Sequence, residues 1–278
     1  MELPILKGRG TPVNPPNRFE TLRIEVEEDV QGSPATVQTQ YFADSSRQII
    51  SENDSPDVGM KHSVNPYRGC SHGCIYCFAR PTHEYLGFSA GLDFESKIMV
   101  KRDAAELLRK ELSSPKYKPV TLFFSGVTDC YQPIERKLEL TRSCLRVMAE
   151  FGNPAGVITK SHLVTRDIDL LSQLARHGAA VALVSVTTLD AQLAAKMEPR
   201  AAAPNFRLDA VRQLADAKIP VGIMMAPIIP GLTDHEIPAL LAAAAEAGAQ
   251  YAGYTPLRLP FAVKDLFADW LSRHFPDR

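Results

Sequence analysis

The chain has no run of the ~18 or more apolar residues that a membrane span requires. Its longest alanine-rich stretch, Leu240 to Ala249, is broken by Glu246. The opening MELPILKGRG lacks the charged-then-apolar order of a secretory signal, so a cytoplasmic protein without a membrane anchor is expected. Neither charge is in excess: 31 Lys and Arg stand against 32 Asp and Glu, a formal net charge of -1. The whole-chain basic bias that neutralises phosphate is therefore missing, which argues against a nucleic-acid partner while leaving room for a local basic groove. Cysteine is scarce too, with five in 278 residues, too few for a disulfide framework in a chain this long. Three of the five fall within eight residues, which points to a metal or cluster site in a reducing compartment.

Residues 1–60 differ in texture from the rest. Prolines and glycines punctuate a polar, charge-rich stretch there, predicting an irregular N-terminal arm. Only Arg23–Val26 and Val37–Phe42 have strand character, and residues 43–57 read as a loop. The basic, proline-bounded KGRG and PPNRFE suit a segment that covers the core or meets a partner, with a disordered tail as the alternative.

From residue 61 to 278 a single core domain is expected. Short runs rich in Val, Ile and Phe alternate there with segments whose apolar residues recur at helical spacing. Strands are predicted at Ser63–Tyr67, Val120–Ser125, Gly156–Thr159, Ala180–Thr187, Val221–Ala226 and Tyr251–Leu257. Helices are predicted at Arg136–Phe151, Thr165–His177, Glu236–Ala247 and Val263–Phe275, with an extra strand Ser96–Val100 and a helix Ala104–Leu112 near the start. Such alternation means a parallel sheet in an α/β protein. Six units suit a partial (β/α)6 TIM-type barrel, an open doubly wound sheet being the alternative. In both, the functional face lies at the carboxyl ends of the strands.

The cysteines stand in NPYRGCSHGCIYCFARP, spaced C-x3-C-x2-C, and no second C-x2-C pair follows. Three thiolates on one loop can converge on one centre. The missing fourth is informative, because a [4Fe–4S] cube held by three cysteines leaves one iron open to an outside molecule. Gly69 and Gly73 let the loop turn tightly, and Tyr76 precedes the third cysteine. The competing reading is a zinc-binding interaction module that completes Cys70, Cys74 and Cys77 with His72 or His83.

This motif resembles that of the radical S-adenosylmethionine superfamily, and the likeness extends from about His62 to Phe275. Further segments, SGVTDCYQPIE, VITKSHLVTRD, MEPR and IMMAPIIPGLTD, resemble the branch related to spore photoproduct lyase. The resemblance implies a partial (β/α)6 barrel, a [4Fe–4S] cluster on Cys70, Cys74 and Cys77, and S-adenosyl-L-methionine cleaved to a 5′-deoxyadenosyl radical. It also implies an external electron donor of the flavodoxin or ferredoxin type, and a capping helix past the final FPDR. For the cofactor it implies Thr128 or Asp129 at the ammonium, Lys160 at the carboxylate, Ser185 at the ribose or carboxylate, Arg200 at a carboxylate, and the backbone near Tyr76 and Phe78 at the adenine. The substrate is open between a DNA lesion, a peptide, an RNA and a small metabolite. In the lyase a hydrogen-donor cysteine lies in the loop after the second strand, before the aspartate, where this chain has Ser125, Gly126 and Val127. Cys130 is the catalytic candidate here, an incidental buried thiol the alternative. Cys144 reads as core, and alternation alone does not say which way Tyr254 points.

Overall fold

The computed structural model describes residues 6–20, 37–53 and 60–276. Its strands are β1 (Gln40–Ala43), β2 (Ile50–Glu52), β3 (His62–Val64), β4 (Tyr67–Arg68), β5 (Lys97–Val100), β6 (Leu122–Phe124), β7 (Ala155–Thr159), β8 (Ala180–Ser185), β9 (Val221–Ile228) and β10 (Tyr251–Pro256). The helices are α1 (Leu92–Ser96), α2 (Ala104–Leu112), α3 (Glu135–Leu138), α4 (Leu140–Phe151), α5 (Ile168–Ala175), α6 (Ala191–Met197), α7 (Pro204–Asp216), α8 (Ile237–Glu246) and α9 (Ala262–His274).

The main sheet runs β10-β9-β8-β7-β6-β3-β2. The six strands from β3 to β10 in this order are mutually parallel, and β2 adds to β3 antiparallel. This is the expected partial (β/α)6 barrel, with β10 and β2 at its edges. A small second sheet, β1-β5-β4, sits beside the start of the barrel.

Periodicity two divides each barrel strand between two environments. Val64, Phe124, Val157, Val184 and Ile223 are fully buried and join the core built with α2, α4, α5, α7 and α8. Leu108, Leu145, Met148, Leu171, Leu214 and Leu240 supply the helical side of that core. The alternate residues Ser63, Phe123, Ile158, Leu183, Ser185 and Met224 face the concave interior. Gly156 lies among them because a Cβ there would stand 2.3 Å from the Phe123 ring.

Four expectations change. The first strand is split: residues 62–64 join the barrel while Tyr67–Arg68 leave for the small sheet, with Asn65 and Pro66 between them. Pro66 cannot donate to a ladder, and its carbonyl instead accepts from the Lys101 amide at 3.0 Å. The helix expected over 136–151 is broken at Glu139, whose φ is +51°, because the Glu135 carboxylate takes the Thr141 amide at 3.1 Å and caps α4 from inside. The segment expected to be a helix from Thr165 begins with a 3-10 turn, His162–Asp167, and the α-helix starts at Ile168. Within the expected loop 43–57, Ile50–Glu52 forms β2. The expected strand Arg23–Val26 lies outside the described residues.

Candidate active site

The carboxyl ends of β3, β6, β7 and β8 deliver Asn65, Ser125, Lys160 and Ser185 to one end of the barrel, and the cysteine loop lies over the same end. Two glycines shape that loop. Gly69 and Gly73 have φ of +78° and +71°, and added Cβ atoms would meet His83 Cε1 at 2.9 Å and Glu95 Oε2 at 2.7 Å. Neither conformation nor space admits a side chain.

The loop is tied down on every side. On the β6 side, Thr128 Oγ1 donates to the Gly69 carbonyl at 2.6 Å, while Gln132 Oε1 accepts from the Ser71 amide at 3.0 Å. Asn65 Oδ1 accepts from the Gly126 and Val127 amides at 2.9 and 3.0 Å, fixing the loop from which Thr128 acts. On the β8 side, the Ile75 amide donates to the Met197 carbonyl at 3.0 Å and the Arg200 amide to the His72 carbonyl at 3.1 Å. Outside, Arg80 Nε donates to the Cys74 carbonyl at 3.0 Å, and its guanidinium pairs with the buried Glu95 at 2.5 Å. The N-terminal segment closes over this pair: Gly10 N donates to Glu95 Oε2 at 2.9 Å and Arg9 Nη1 to the Glu95 carbonyl at 2.6 Å.

Cys70 and Cys74 are buried, Cys77 is half-buried, and all three are free thiols. Burial pushes the Cys74 and Cys77 thiols up; Glu198 and then the neighbouring cysteines raise Cys74 further, and Cys70 raises Cys77. Neighbouring Lys160 acts in the opposite sense on both. Three thiols gathered on one loop form a soft sulfur donor set of the kind that holds an iron–sulfur cluster or zinc. Among the described residues no three His, Cys, Asp or Glu side chains gather around one point as ligands of a single ion. Of the two histidines of the zinc reading, His72 pairs with Asp129 at 3.3 Å and also interacts with Cys70, while His83 Nε2 meets the Lys97 carbonyl at 2.9 Å and its buried Nδ1 has no hydrogen-bond partner among the described residues.

Each predicted residue has a definite place. Lys160 points to the loop, its Nζ 5.7 Å from the Tyr76 ring centroid. Ser185 is buried on the interior face of β8, and its carbonyl accepts from Arg207 Nη1 at 3.1 Å. Tyr76 is buried and its hydroxyl donates to Glu198. Thr128 spends its hydroxyl on Gly69, as above. Asp129 accepts from Thr159 Oγ1 (2.7 Å) and Tyr131 N (2.9 Å) on one oxygen, and from Lys160 N (2.8 Å) and His72 (3.3 Å) on the other. Arg200 turns away from the loop: its Nη1 donates to Thr39 Oγ1 at 3.0 Å, in a cleft of about 450 Å³ shared with Lys7, Arg9 and Tyr41.

Cys130 is not brought to the loop. It is fully buried in the main core with Cys144, its amide donates to Ser125 Oγ at 2.9 Å, and burial raises its thiol pKa. Ser125, with φ +85°, makes the turn that directs the following residues to this inner position. Tyr254 pairs in register with Met225, whose face is the outer one, and it is exposed there.

The residues that the sequence did not disclose are the supports. Glu198, from the same MEPR turn as Arg200, is fully buried and accepts from Tyr76, from Thr187 Oγ1 at 2.8 Å, and from Arg207, whose Nε donates to the Ala202 carbonyl at 2.6 Å. Burial works against the Glu198 carboxylate, but Arg207 and Lys160 outweigh it and hold its pKa down to about 2. An acid inside a turn and an arginine on a following helix carry no local signal of meeting.

The comparisons with known proteins accord with this geometry. A family profile, the Radical SAM superfamily, matches residues 64–244. The chain belongs to the radical SAM superfamily. A protein of Mycobacterium tuberculosis, described as uncharacterized, is 36% identical over 220 residues, covering 78% of this chain and 65% of its own length. A Methanocaldococcus jannaschii protein, also described as uncharacterized, is 30% identical over 184 residues, 66% of each chain. This radical SAM chain thus spans about two thirds of the length of these relatives. A Pseudomonas phage M6 protein named Radical SAM Nalpha-GlyT isomerase is 27% identical over 174 residues, 62% of this chain and 34% of that one. Among solved structures, a mutant of spore photoproduct lyase superposes with TM-score 0.60 at 17% identity, covering 90% of this chain and 73% of that chain. Another, with bound AdoMet and dinucleoside spore photoproduct, gives 0.58 at 18% identity over 85% and 66%. Together these establish the partial barrel fold as that of radical SAM enzymes.

Proposed function

We propose that residues 61–278 form a catalytic core in which Cys70, Cys74 and Cys77 hold a [4Fe–4S] cluster with S-adenosylmethionine bound beside it, and that residues 1–60 are an N-terminal arm whose segment around Arg9 and Gly10 covers the outer side of the cysteine loop. When bound and reduced by an external flavodoxin- or ferredoxin-type donor, that pair of groups supplies a 5′-deoxyadenosyl radical, which abstracts hydrogen from the substrate. The observation that carries this reading is the cysteine loop itself: three free thiols pinned over the mouth of a parallel barrel, with the Lys160 ammonium beside them.

The protein's own contributions follow from its contacts. Lys160 would pair with the cofactor carboxylate, a role supported by its position beside the cysteine loop, and Ser185 would offer a hydroxyl on the interior wall. Tyr76 is held by Glu198, so the backbone after Cys74 presents a fixed edge to an adenine ring. Arg9, Gly10 and Arg80 seal the outer side of the loop and keep water from it.

For the substrate, lyase-like action on a DNA lesion stands beside modification of a peptide, an RNA or a small metabolite. The position of Cys130 favours the second group, since a thiol enclosed in the core is not available to return hydrogen to a substrate at the mouth. Anaerobic reconstitution tests the whole reading. About four iron and four sulfide per chain are expected, with 5′-deoxyadenosine formed under dithionite and increased by the true substrate pool. One tightly held zinc that survives reconstitution would overturn it in favour of the zinc module.

A further inference from the structure

Asp129 stands where the family likeness places a ligand of the cofactor ammonium, yet its surroundings describe another task. A carboxylate has about four acceptor positions. Here Thr159 Oγ1 and the Tyr131 amide occupy those of Oδ1, and the Lys160 amide and His72 Nδ1 those of Oδ2. Both members of the His72–Asp129 pair are almost wholly out of solvent, with 3% and 10% of their side-chain surfaces exposed.

The bonds around this pair close on themselves. Asp129 holds the Lys160 amide; the Lys160 carbonyl accepts from the Ala202 amide at 3.1 Å; the Arg200 amide donates to the His72 carbonyl at 3.1 Å; and the His72 ring returns to Asp129. Four segments distant in sequence are thereby fixed to one another: the β6 loop, the end of β7, the turn after α6 and the cysteine loop.

We propose that the Asp129–His72 pair is the latch that sets the cysteine loop at a fixed position relative to Lys160, with Asp129 a positioning residue and not a ligand of the cofactor. The proposal uses the reading above only for the identity of the bound molecule. A molecule that must meet the cysteine loop at one end and Lys160 at the other is bound best when that span is preorganised, and a buried, directly paired His72 and Asp129 give the span one defined length. His72 lies between Cys70 and Cys74 in the chain, so release of its ring frees the segment that carries two of the three thiols.

Two measurements test this on the full chain, one without iron and one with it. In the iron-free protein, His72→Phe and Asp129→Asn should each speed amide hydrogen exchange at residues 70–74 by roughly tenfold or more, and the double variant should be no faster than the faster single one. In the reconstituted protein, each should weaken S-adenosylmethionine binding by roughly ten- to a hundredfold, again without additivity. His72→Asn, which keeps an N–H donor near the position of Nδ1, should restore most of both. The latch is overturned if His72→Phe leaves exchange and affinity at wild-type values while Asp129→Asn weakens binding alone, the signature of a direct ligand. Should Asp129→Asn fail to fold, His72→Phe and its rescue decide the matter, because that change removes only one of the four bonds to Asp129. A wild-type chain that assembles no cluster would count against the proposed function, and the iron-free exchange would still judge the latch.

Discussion

The two sides of the barrel are built on different terms. Around the cysteine loop, at the ends of β6, β7 and β8, nearly every polar side chain has a partner from a distant segment, and charges such as Glu95, Asp129, Glu198 and Arg207 are buried in pairs or networks. At the other edge, β10 is exposed on both faces and is held to β9 by parallel backbone pairing, with Tyr251 and Tyr254 open to solvent. Burying charges costs several kcal/mol per ion unless geometry and additional hydrogen bonds offset it. Around the cysteine loop that cost is offset by pairing, and the pairing fixes the segments there relative to one another.

The largest test of this contrast is Cys74→Ala, which should abolish both cluster assembly and deoxyadenosine formation, read by iron analysis and by chromatography. Wild-type cleavage activity in that variant would erase the distinction between the two sides. Next comes Glu198→Gln, which strands the Arg207 guanidinium in a buried site. A loss of about 3–5 kcal/mol in denaturant unfolding is expected.

The same carboxylate predicts a pH dependence. Its folded pKa of about 2 lies below the ordinary 4.5, so its stabilisation is complete above the unfolded value and is lost as pH falls from about 4.5 through 2. Acid titration of stability should therefore be shallower in Glu198→Gln than in the wild type over that window, and equal slopes would show that the pair contributes nothing. Smaller still is Lys160→Ala. It should weaken S-adenosylmethionine binding roughly tenfold and leave iron content unchanged, with a small fall in unfolding midpoint because Lys160 also favours the buried Glu198 carboxylate, as measured by titration calorimetry and denaturant unfolding. Least of all, Tyr254→Ser on the exposed edge should shift stability by no more than about 0.5 kcal/mol and leave cofactor binding intact. A large effect there would mean that β10 has a role that its exposure does not suggest.

Much of the fold was legible because barrel strands and helices announce themselves locally. Alternation of Val, Ile and Phe with helical spacing located all six parallel strands, and the small strand at Lys97–Val100 was also expected. Errors fell where a side chain from elsewhere intervened. The carboxylate of Glu135 broke the helix at Glu139, and Pro66 sent residues 67–68 to a second sheet. Lys160 and Ser185 lie at the barrel mouth, where strand order puts them, since the position at the end of a parallel strand is known once the strand is known. Arg200 and Cys130 point elsewhere, because each follows a turn whose direction depends on the positive φ of Ser125 or on the packing of the MEPR segment against the loop. No helix among the described residues is long and apolar enough to cross a membrane, in keeping with the absence of apolar runs.

What the sequence determined by itself was the superfamily signature and the frame that holds it. Three thiols at C-x3-C-x2-C, set on the loop after the first of six alternating strands, are local facts that survive any arrangement of the remainder. Only the tertiary structure decided what each surrounding charge does. Asp129 meets His72, Glu198 meets Tyr76 and Arg207, and Glu95 meets Arg80 and Gly10 because the barrel closes those distances. Partnership between buried charges depends on a desolvated position in space, and no spacing along the chain encodes it.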